Sequence, residues 1–246
     1  MQKVSKSEQK LIKSLKYKKY RYKYRLFVAE GLKVIKEFLN SDYKLKRLYS
    51  IADVFHVEQD KLSIISPQDL KAISFLSTPQ TAVAVFKMKE NTPLTSEGLT
   101  LALDDLNDPG NLGTIVRLCD WFGVRHIICS ETTVDCYNPK VVQSTMGSLC
   151  RVNVHYVDLE DVLSNYHLMK YTSAMDGESV YHANLSQQSI LIMGNESHGV
   201  SDKIRGLSSK TLSIPKFGNS KETESLNVAM ATSIFLSEFK RRTIEM

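Results

Sequence analysis

From Leu99 onward the chain alternates short apolar runs with amphipathic stretches, and this alternation restricts the fold more than any other feature. Residues 99–104, 124–129, 151–157, 169–174, 189–194 and 211–214 read as strands, with helical patterns between them. In the first of these helices Ile115, Leu118, Cys119 and Phe122 recur at i, i+3, i+4 and i+7, the period of one buried face. Arg117 lies off that stripe, and Gly123 supplies a C-terminal stop. A last helix is expected over 227–240. Strands that recur after each helix imply a mostly parallel sheet covered on both faces. In such sheets ligands bind at the carboxyl ends of the strands.

The first 90 residues have a different character. Strands are expected at 27–31, 46–51, 62–65 and 82–85, a helix over 32–39, and another opened by Ser66-Pro67 through N-cap and N1 preferences. Residues 1–47 hold 15 Lys and Arg against 4 acids, a net charge of +11, and the remaining residues carry −6. The densest part, residues 10–25, reads KLIKSLKYKKYRYKYR, with four tyrosines set among the cations. Lys and Arg neutralise phosphates, and aromatic rings stack on unpaired bases, so this segment suits RNA. A solvated basic tail and an organelle-targeting helix are the two other readings. Residues 91–98, polar and holding Pro93 and Gly98, read as a linker. The expected organisation is therefore 1–90, a basic RNA-binding domain; 91–98, a linker; and 99–246, the parallel-sheet domain.

Several classes drop out. No apolar run approaches the roughly 20 residues needed to span a bilayer, and MQKVSKSEQK lacks the apolar core of a secretory signal. A cytoplasmic protein without membrane partners is expected. Cys119, Cys129, Cys136 and Cys150 are spaced by 10, 7 and 14 residues, and the six histidines form no H-x-x-x-H pair, so no metal site is expected. Neither G-x-G-x-x-G nor G-x-x-x-x-G-K-[ST] occurs.

Three loops at strand ends have unusual composition: NDPGNLGTIVR at 107–117, GNESHGVS at 194–201, and IPKFGNSKETESLNVAMA at 214–231. Taken singly, each is what a tight turn or a helix cap uses, and Asp108-Pro109-Gly110-Asn111 reads as a turn. Taken together and in order, they resemble the motifs of the SpoU (TrmH-like) branch of the SPOUT RNA methyltransferases. N-x-G-x-x-x-R appears as Asn111 to Arg117, a variant of G-x-E-G-x-G as Gly194 to Gly199, and I-P followed by S-L-N-V as Ile214-Pro215 and Ser225 to Val228. The resemblance covers about 98–246. Residues 1–90 are similar to the family's ribosomal-protein-like RNA-binding extension through RLFVAEGLKVIKEFL and STPQTAVAVF. Two departures stand out. Ser197 replaces a glycine, which would add strain if that backbone needs a positive φ. The loop 216–224 is longer and more charged than usual, which bears on substrate choice.

The resemblance implies a parallel α/β sheet with a deep trefoil knot, a homodimer formed through the catalytic domain, and methyl transfer from S-adenosylmethionine to a ribose 2′-hydroxyl, of rRNA before tRNA. It also implies that Thr172, Gly194, Ile214 and Leu226 surround the cofactor, and that Arg117, Asn111, Glu196, Ser225 and Asn227 serve catalysis. Arg117 matches the catalytic arginine, expected beside the methyl donor. A guanidinium is too basic to accept a proton at neutral pH, so its expected role is to clamp a substrate phosphate and stabilise the developing alkoxide. A surface ion pair with Asp120 is the competing role for Arg117. Glu196 is expected to hold Arg117 or to anchor a loop amide, and Asn227 suits a helix N-cap. His198, at a variable position of its motif, is read as incidental. The alternative function is a catalytically silent RNA-binding protein of the same fold; a base-modifying methyltransferase is a third reading.

Overall fold

The computed structural model describes residues 3–90, 93–95, 97–218 and 225–244. Parts of the expected linker, at 91–92 and 96, and of the long loop, at 219–224, lie outside the described residues. The chain forms two compact units, Met1–Glu90 with Asp135–Cys150 and Asn91–Val134 with Arg151–Met246. The stretch Asp135–Cys150, numbered inside the expected 99–246 domain, thus packs as part of the first unit.

In the first unit the basic run is two helices, α1 (Lys6–Ser14) and α2 (Lys18–Tyr24), which removes the solvated-tail reading. Ser5 and Glu8 start α1 with a capping box: Ser5 Oγ accepts from Glu8 N at 3.2 Å, and Glu8 Oε2 accepts from Ser5 N at 3.0 Å. Ile12 and Leu15 of the run are buried, joining Val28, Ile65, Leu70 and Ile73 in one core cluster, and Leu11 packs against it partly buried. Arg21, 2% exposed, donates to Asp135 Oδ2 through Nε at 2.8 Å and to the Leu15 and Lys16 carbonyls at 2.9 and 2.8 Å. A buried guanidinium is tolerated only when paired and hydrogen-bonded in this way, and the contact fastens the turn between the helices. The following elements are β1 (Leu26–Glu30), α3 (Leu32–Leu39), β2 (Leu45–Ser50), β3 (Leu62–Ile64), α4 (Pro67–Ile73) and β4 (Ala82–Lys87). Ser66 caps α4 as expected, its Oγ accepting from Asp69 N at 3.1 Å. The sheet runs β1-β4-β2-β3, antiparallel except for the β2–β3 pair.

The second unit opens with β5 (Leu99–Leu103), α5 (Pro109–Trp121) and β6 (His126–Ser130). After α6 (Pro139–Thr145), which belongs to the first unit, come β7 (Asn153–Val157), α7 (Leu159–Asn165), β8 (Met169–Ser179), β9 (Ser189–Met193), α8 (Asp202–Arg205), β10 (Lys210–Ser213) and α9 (Val228–Ile244). The six strands run β10-β8-β9-β5-β6-β7 and every neighbouring pair is parallel. The central strands LTLAL and SILIM are buried along their whole length, which is why they read as continuous apolar runs rather than alternations. Ala102, Ile128, Leu163, Ile190 and Ile192 form the core against α7 and α8.

Two local expectations need correction. The segment Asp108 to Asn111 is not a free turn: Asp108 is the N-cap of α5, its Oδ1 accepting from Asn111 N at 2.8 Å, and Pro109 takes N1. Strand β8 continues to Ser179 beyond the expected end at 174, because β10 pairs first with Tyr171 and Thr172 and then, after a register shift, with Glu178 and Ser179. Gly177 permits that approach, since a Cβ there would lie 2.6 Å from the Leu212 carbonyl carbon. Among the described residues no helix is long and apolar enough to cross a membrane.

Candidate active site

Strand β9 ends just past its pairing with Thr172 of β8, β10 ends beside Ser179, and β8 residues 172–176 together with the loops that follow β9 and β10 enclose a cavity of about 700 Å³. Thr172, Gly194, Glu196, Ile214, Ser225 and Leu226 all line it. Val228, Ala231 and Phe235 of α9 supply an apolar wall. Such a hollow, apolar with a few polar groups, is the usual form of a small-molecule site.

The loop after β9 is held by its own backbone. Asn195 and Gly199 exchange hydrogen bonds at 2.9 and 3.0 Å, and this turn leaves no room at Gly194, where a Cβ would sit 2.0 Å from the Gly199 carbonyl carbon. Gly199 carries the positive φ of the turn, +70°, whereas Ser197 has no left-handed backbone. Serine therefore replaces the usual glycine without strain. Asn195 Oδ1 accepts from Ser197 N at 2.8 Å, and Asn195 Nδ2 donates to the Asp105 carbonyl at 2.8 Å. Asp104, buried at the end of β5, accepts from Ser201 N at 2.8 Å and Ser201 Oγ at 2.7 Å. Sequence reasoning passed over Asn195, Asp104 and Asp105; the paired acids directly after a strand were the available signal.

Glu196 joins the loops. Its Oε1 accepts from Asn111 Nδ2 at 2.9 Å and from Asp108 N at 3.2 Å, placing a carboxylate at the positive end of α5. Asn111 Oδ1 in turn accepts from Asn227 Nδ2 at 3.0 Å. Asn227 Oδ1 accepts from Ala229 N and Met230 N at 3.0 and 3.3 Å, so this side chain caps α9 and closes the chain of contacts. Of the two roles weighed for Glu196, the structure shows the loop-amide anchor and no contact with Arg117.

Arg117 stands apart. It is exposed on α5, does not line the cavity of its own chain, and makes no hydrogen bond or ion pair with the described residues. Asp120, its expected alternative partner, is instead held by Arg151, whose Nε and Nη2 donate to Asp120 Oδ2 at 3.0 and 2.9 Å. His198 is exposed at the cavity lining. At the mouth, Arg205 Nη2 donates to Asp176 at 2.7 and 2.8 Å, and these hydrogen bonds hold the Asp176 carboxyl below the usual carboxylate range.

A cofactor with an apolar body and a few polar atoms fits this hollow. Thr172 Oγ1 is buried without a hydrogen-bond partner. A buried polar atom left unpaired costs stability, and it gives a ligand atom something to bind. Among the described residues no three His, Cys, Asp or Glu side chains cluster as metal ligands would.

Comparison with known proteins gives consistent matches. Residues 98–237 match the SpoU rRNA Methylase family, and residues 6–84 match the MRM3-like substrate binding domain. The 23S rRNA (guanosine(2553)-2'-O)-methyltransferase RlmP of Bacillus subtilis is 30% identical over 233 residues, spanning 91% of this chain and 92% of that protein. A TrmH-family structure from Porphyromonas gingivalis superposes with a TM-score of 0.90 at 36% identity, covering 98% of this chain and 100% of that one. An AdoMet-bound rRNA methyltransferase from Sinorhizobium meliloti superposes with a TM-score of 0.85 at 27% identity, covering 98% of both chains.

Proposed function

The chain belongs to the SpoU rRNA methylase family, and from that premise we propose the function its site supports best: transfer of a methyl group from S-adenosylmethionine to a ribose 2′-hydroxyl of RNA, rRNA before tRNA. The observation that carries this reading is the contact chain Glu196–Asn111–Asn227, which ties all three motif loops together beside the cavity. Without methyl transfer the capping roles at α5 and α9 would account for Glu196 and Asn227 but not for the link that Asn111 makes between them beside the cavity, and no observation favours the silent alternative.

When bound, the cofactor supplies an activated methyl group, so the chain's own task is binding, orientation and electrostatics. Thr172 Oγ1 offers a hydrogen bond from the cavity wall, Gly194 keeps the main chain close-packed, and Ile214 and Leu226 give apolar contact to the ring system. Ser225 and Asn227 position the third loop, while Glu196 and Asn111 fix its distance from α5. Arg117 clamps an RNA phosphate and stabilises negative charge as the hydroxyl loses its proton. That proton passes to the phosphate or to water, since a guanidinium cannot take it.

Arg117 does not reach the cavity of its own chain, and this supports a homodimer in which a second copy completes the site. Trp121, 85% exposed, lies one turn beyond Arg117 on the same face of α5, and Met230 is 61% exposed on the neighbouring α9. These two exposed side chains are read as part of the face that a second copy would cover. Residues 1–90 are read as the substrate-binding domain and 99–246 as the methyltransferase domain, with the deep trefoil knot formed by the loops around the cavity and a cytoplasmic site of action. The test uses tritium-labelled S-adenosylmethionine with unmodified rRNA, followed by nuclease digestion and nucleoside chromatography. Label in a 2′-O-methyl nucleoside is expected; label on a base, or none in RNA, overturns the proposal.

A further inference from the structure

The basic segment 10–25 does more than carry charge. Helical spacing brings Tyr17, Tyr20 and Tyr24, at i, i+3 and i+7, onto one side of α2 and its leading turn. Lys10, Lys13 and Lys16 follow one another along α1 and its end. Together with Phe75, just past α4, these residues line a groove of about 850 Å³ in which no acidic residue takes part. The Tyr20 and Tyr24 rings are stacked with centroids 6.3 Å apart and planes 13° from parallel. Tyr17 is 61% exposed and Tyr24 42% exposed. Lys13 is committed: its Nζ donates to the Ser74 carbonyl at 2.9 Å and sits 5.5 Å over the Phe75 ring. Lys10 and Lys16 are exposed and have no ion-pair partner among the described residues. Lys23 Nζ, 5.5 Å from the Tyr24 ring, adds a further cation at the edge. Glu30, next to the groove, is buried, accepting from Phe75 N at 2.7 Å and from Ser74 Oγ.

Exposed aromatic rings interleaved with unpaired ammonium groups suit a flexible polyanion with accessible base faces. In a duplex the bases are stacked on one another and their faces are closed, whereas in loops and bulges they are open to aromatic side chains. We propose that this groove binds an unpaired stretch of the substrate RNA, with Tyr17 and the Tyr20–Tyr24 pair stacking on bases while Lys10 and Lys16 hold the flanking phosphates. The inference rests on the reading of the chain as an RNA 2′-O-methyltransferase and adds the form of RNA selected and the residues that select it.

The test is fluorescence anisotropy with the full-length protein, a labelled 12-nucleotide oligouridine, and a labelled duplex of equal length, while calorimetry with S-adenosylmethionine reports separately on the cofactor site. Tyr17→Ala with Tyr24→Ala should weaken single-strand binding by about tenfold for each ring removed. Tyr17→Phe with Tyr24→Phe should leave it unchanged, because the stacking face remains. Lys10→Ala with Lys16→Ala should reduce the slope of log affinity against log salt by about 0.7 for each lysine. Cofactor binding and the circular-dichroism melting curve should be the same for all variants. The proposal is overturned if the alanine pair binds the single strand as the unsubstituted protein does, if the phenylalanine pair loses as much as the alanine pair, or if the duplex is bound equally well. Absence of cofactor binding by the unsubstituted protein would instead remove the methyl-transfer reading, leaving the groove result to stand on the RNA data.

Discussion

Glu196 Oε1 accepts a hydrogen bond from Asn111 Nδ2 at 2.9 Å, across 85 residues of chain. The contact joins the loop after β9 to the first turn of α5, and Asn111 passes it on to the cap of α9. Removing the central side chain separates the loops without emptying the core. Asn111→Ala is expected to lower kcat/KM for methyl transfer by about ten- to a hundredfold. Because the network is exposed, stability should fall by only about 1 kcal/mol. Single-turnover methylation together with thermal melting checks both halves; unchanged turnover would show that the tie between the loops is dispensable.

Thr172 tests the cavity itself. Its hydroxyl is buried without a partner, so Thr172→Val removes an unsatisfied group while keeping the branched shape. The free protein should melt at the same temperature or higher, since an unpaired buried hydroxyl costs about 1–3 kcal/mol. S-adenosylmethionine affinity should fall about five- to tenfold, the value of one lost hydrogen bond. Calorimetry reads the affinity, and a variant that binds as tightly as the parent removes Thr172 from the cofactor site.

Arg117→Lys keeps the charge and loses the planar fork that matches phosphate. We expect methyl transfer to drop at least about tenfold, the loss of one charge-assisted contact, with cofactor affinity unchanged because the role assigned to Arg117 is to clamp the RNA phosphate rather than to hold the cofactor. Undiminished turnover would leave only a charge role for this residue.

Trp121 tests assembly. At 85% exposure, a charged residue there disturbs nothing within the chain, so Trp121→Glu should fold normally yet shift the protein to monomer. Light scattering coupled to size exclusion gives the mass directly. A monomeric parent would remove the homodimer, and a variant that remains dimeric would place its interface elsewhere.

A pair of histidines away from the cavity is expected to make the second unit acid-sensitive. His126 Nδ1 and His155 Nε2 lie 3.1 Å apart on β6 and β7, and Thr95 Oγ1 is 3.1 Å from His126 Nε2. Burial lowers the pKa of both rings; Arg125 adds repulsion at His126, and His126 does so at His155. The folded state favours the neutral pair, whereas the unfolded chain takes up protons as pH falls through about 6.5. Stability from this source is complete above that pH and lost below it. His155→Gln removes one titrating ring, so its melting temperature should fall less steeply than the parent's between about pH 7 and pH 5. Parallel pH profiles would exclude the pair as the cause.

Much of the architecture was readable from the chain alone because it depends on local pattern. Short, largely apolar runs such as LTLAL and SILIM that recur between helical patterns are what strands buried on both faces look like, and the caps at Ser66 and Asn227 depend on atoms two or three residues away. The order of the three motifs likewise needs no coordinates. Tertiary structure alone decided the rest: that Glu196 meets Asn111 and leaves Arg117 free, that Arg21 pairs with Asp135 and carries Asp135–Cys150 into the first unit, and that β8 is extended by a shifted register against β10. Such contacts arise when segments far apart in sequence are brought together by the closing of the core. Periodicity records which face of an element is buried, but not which distant side chain it will meet there.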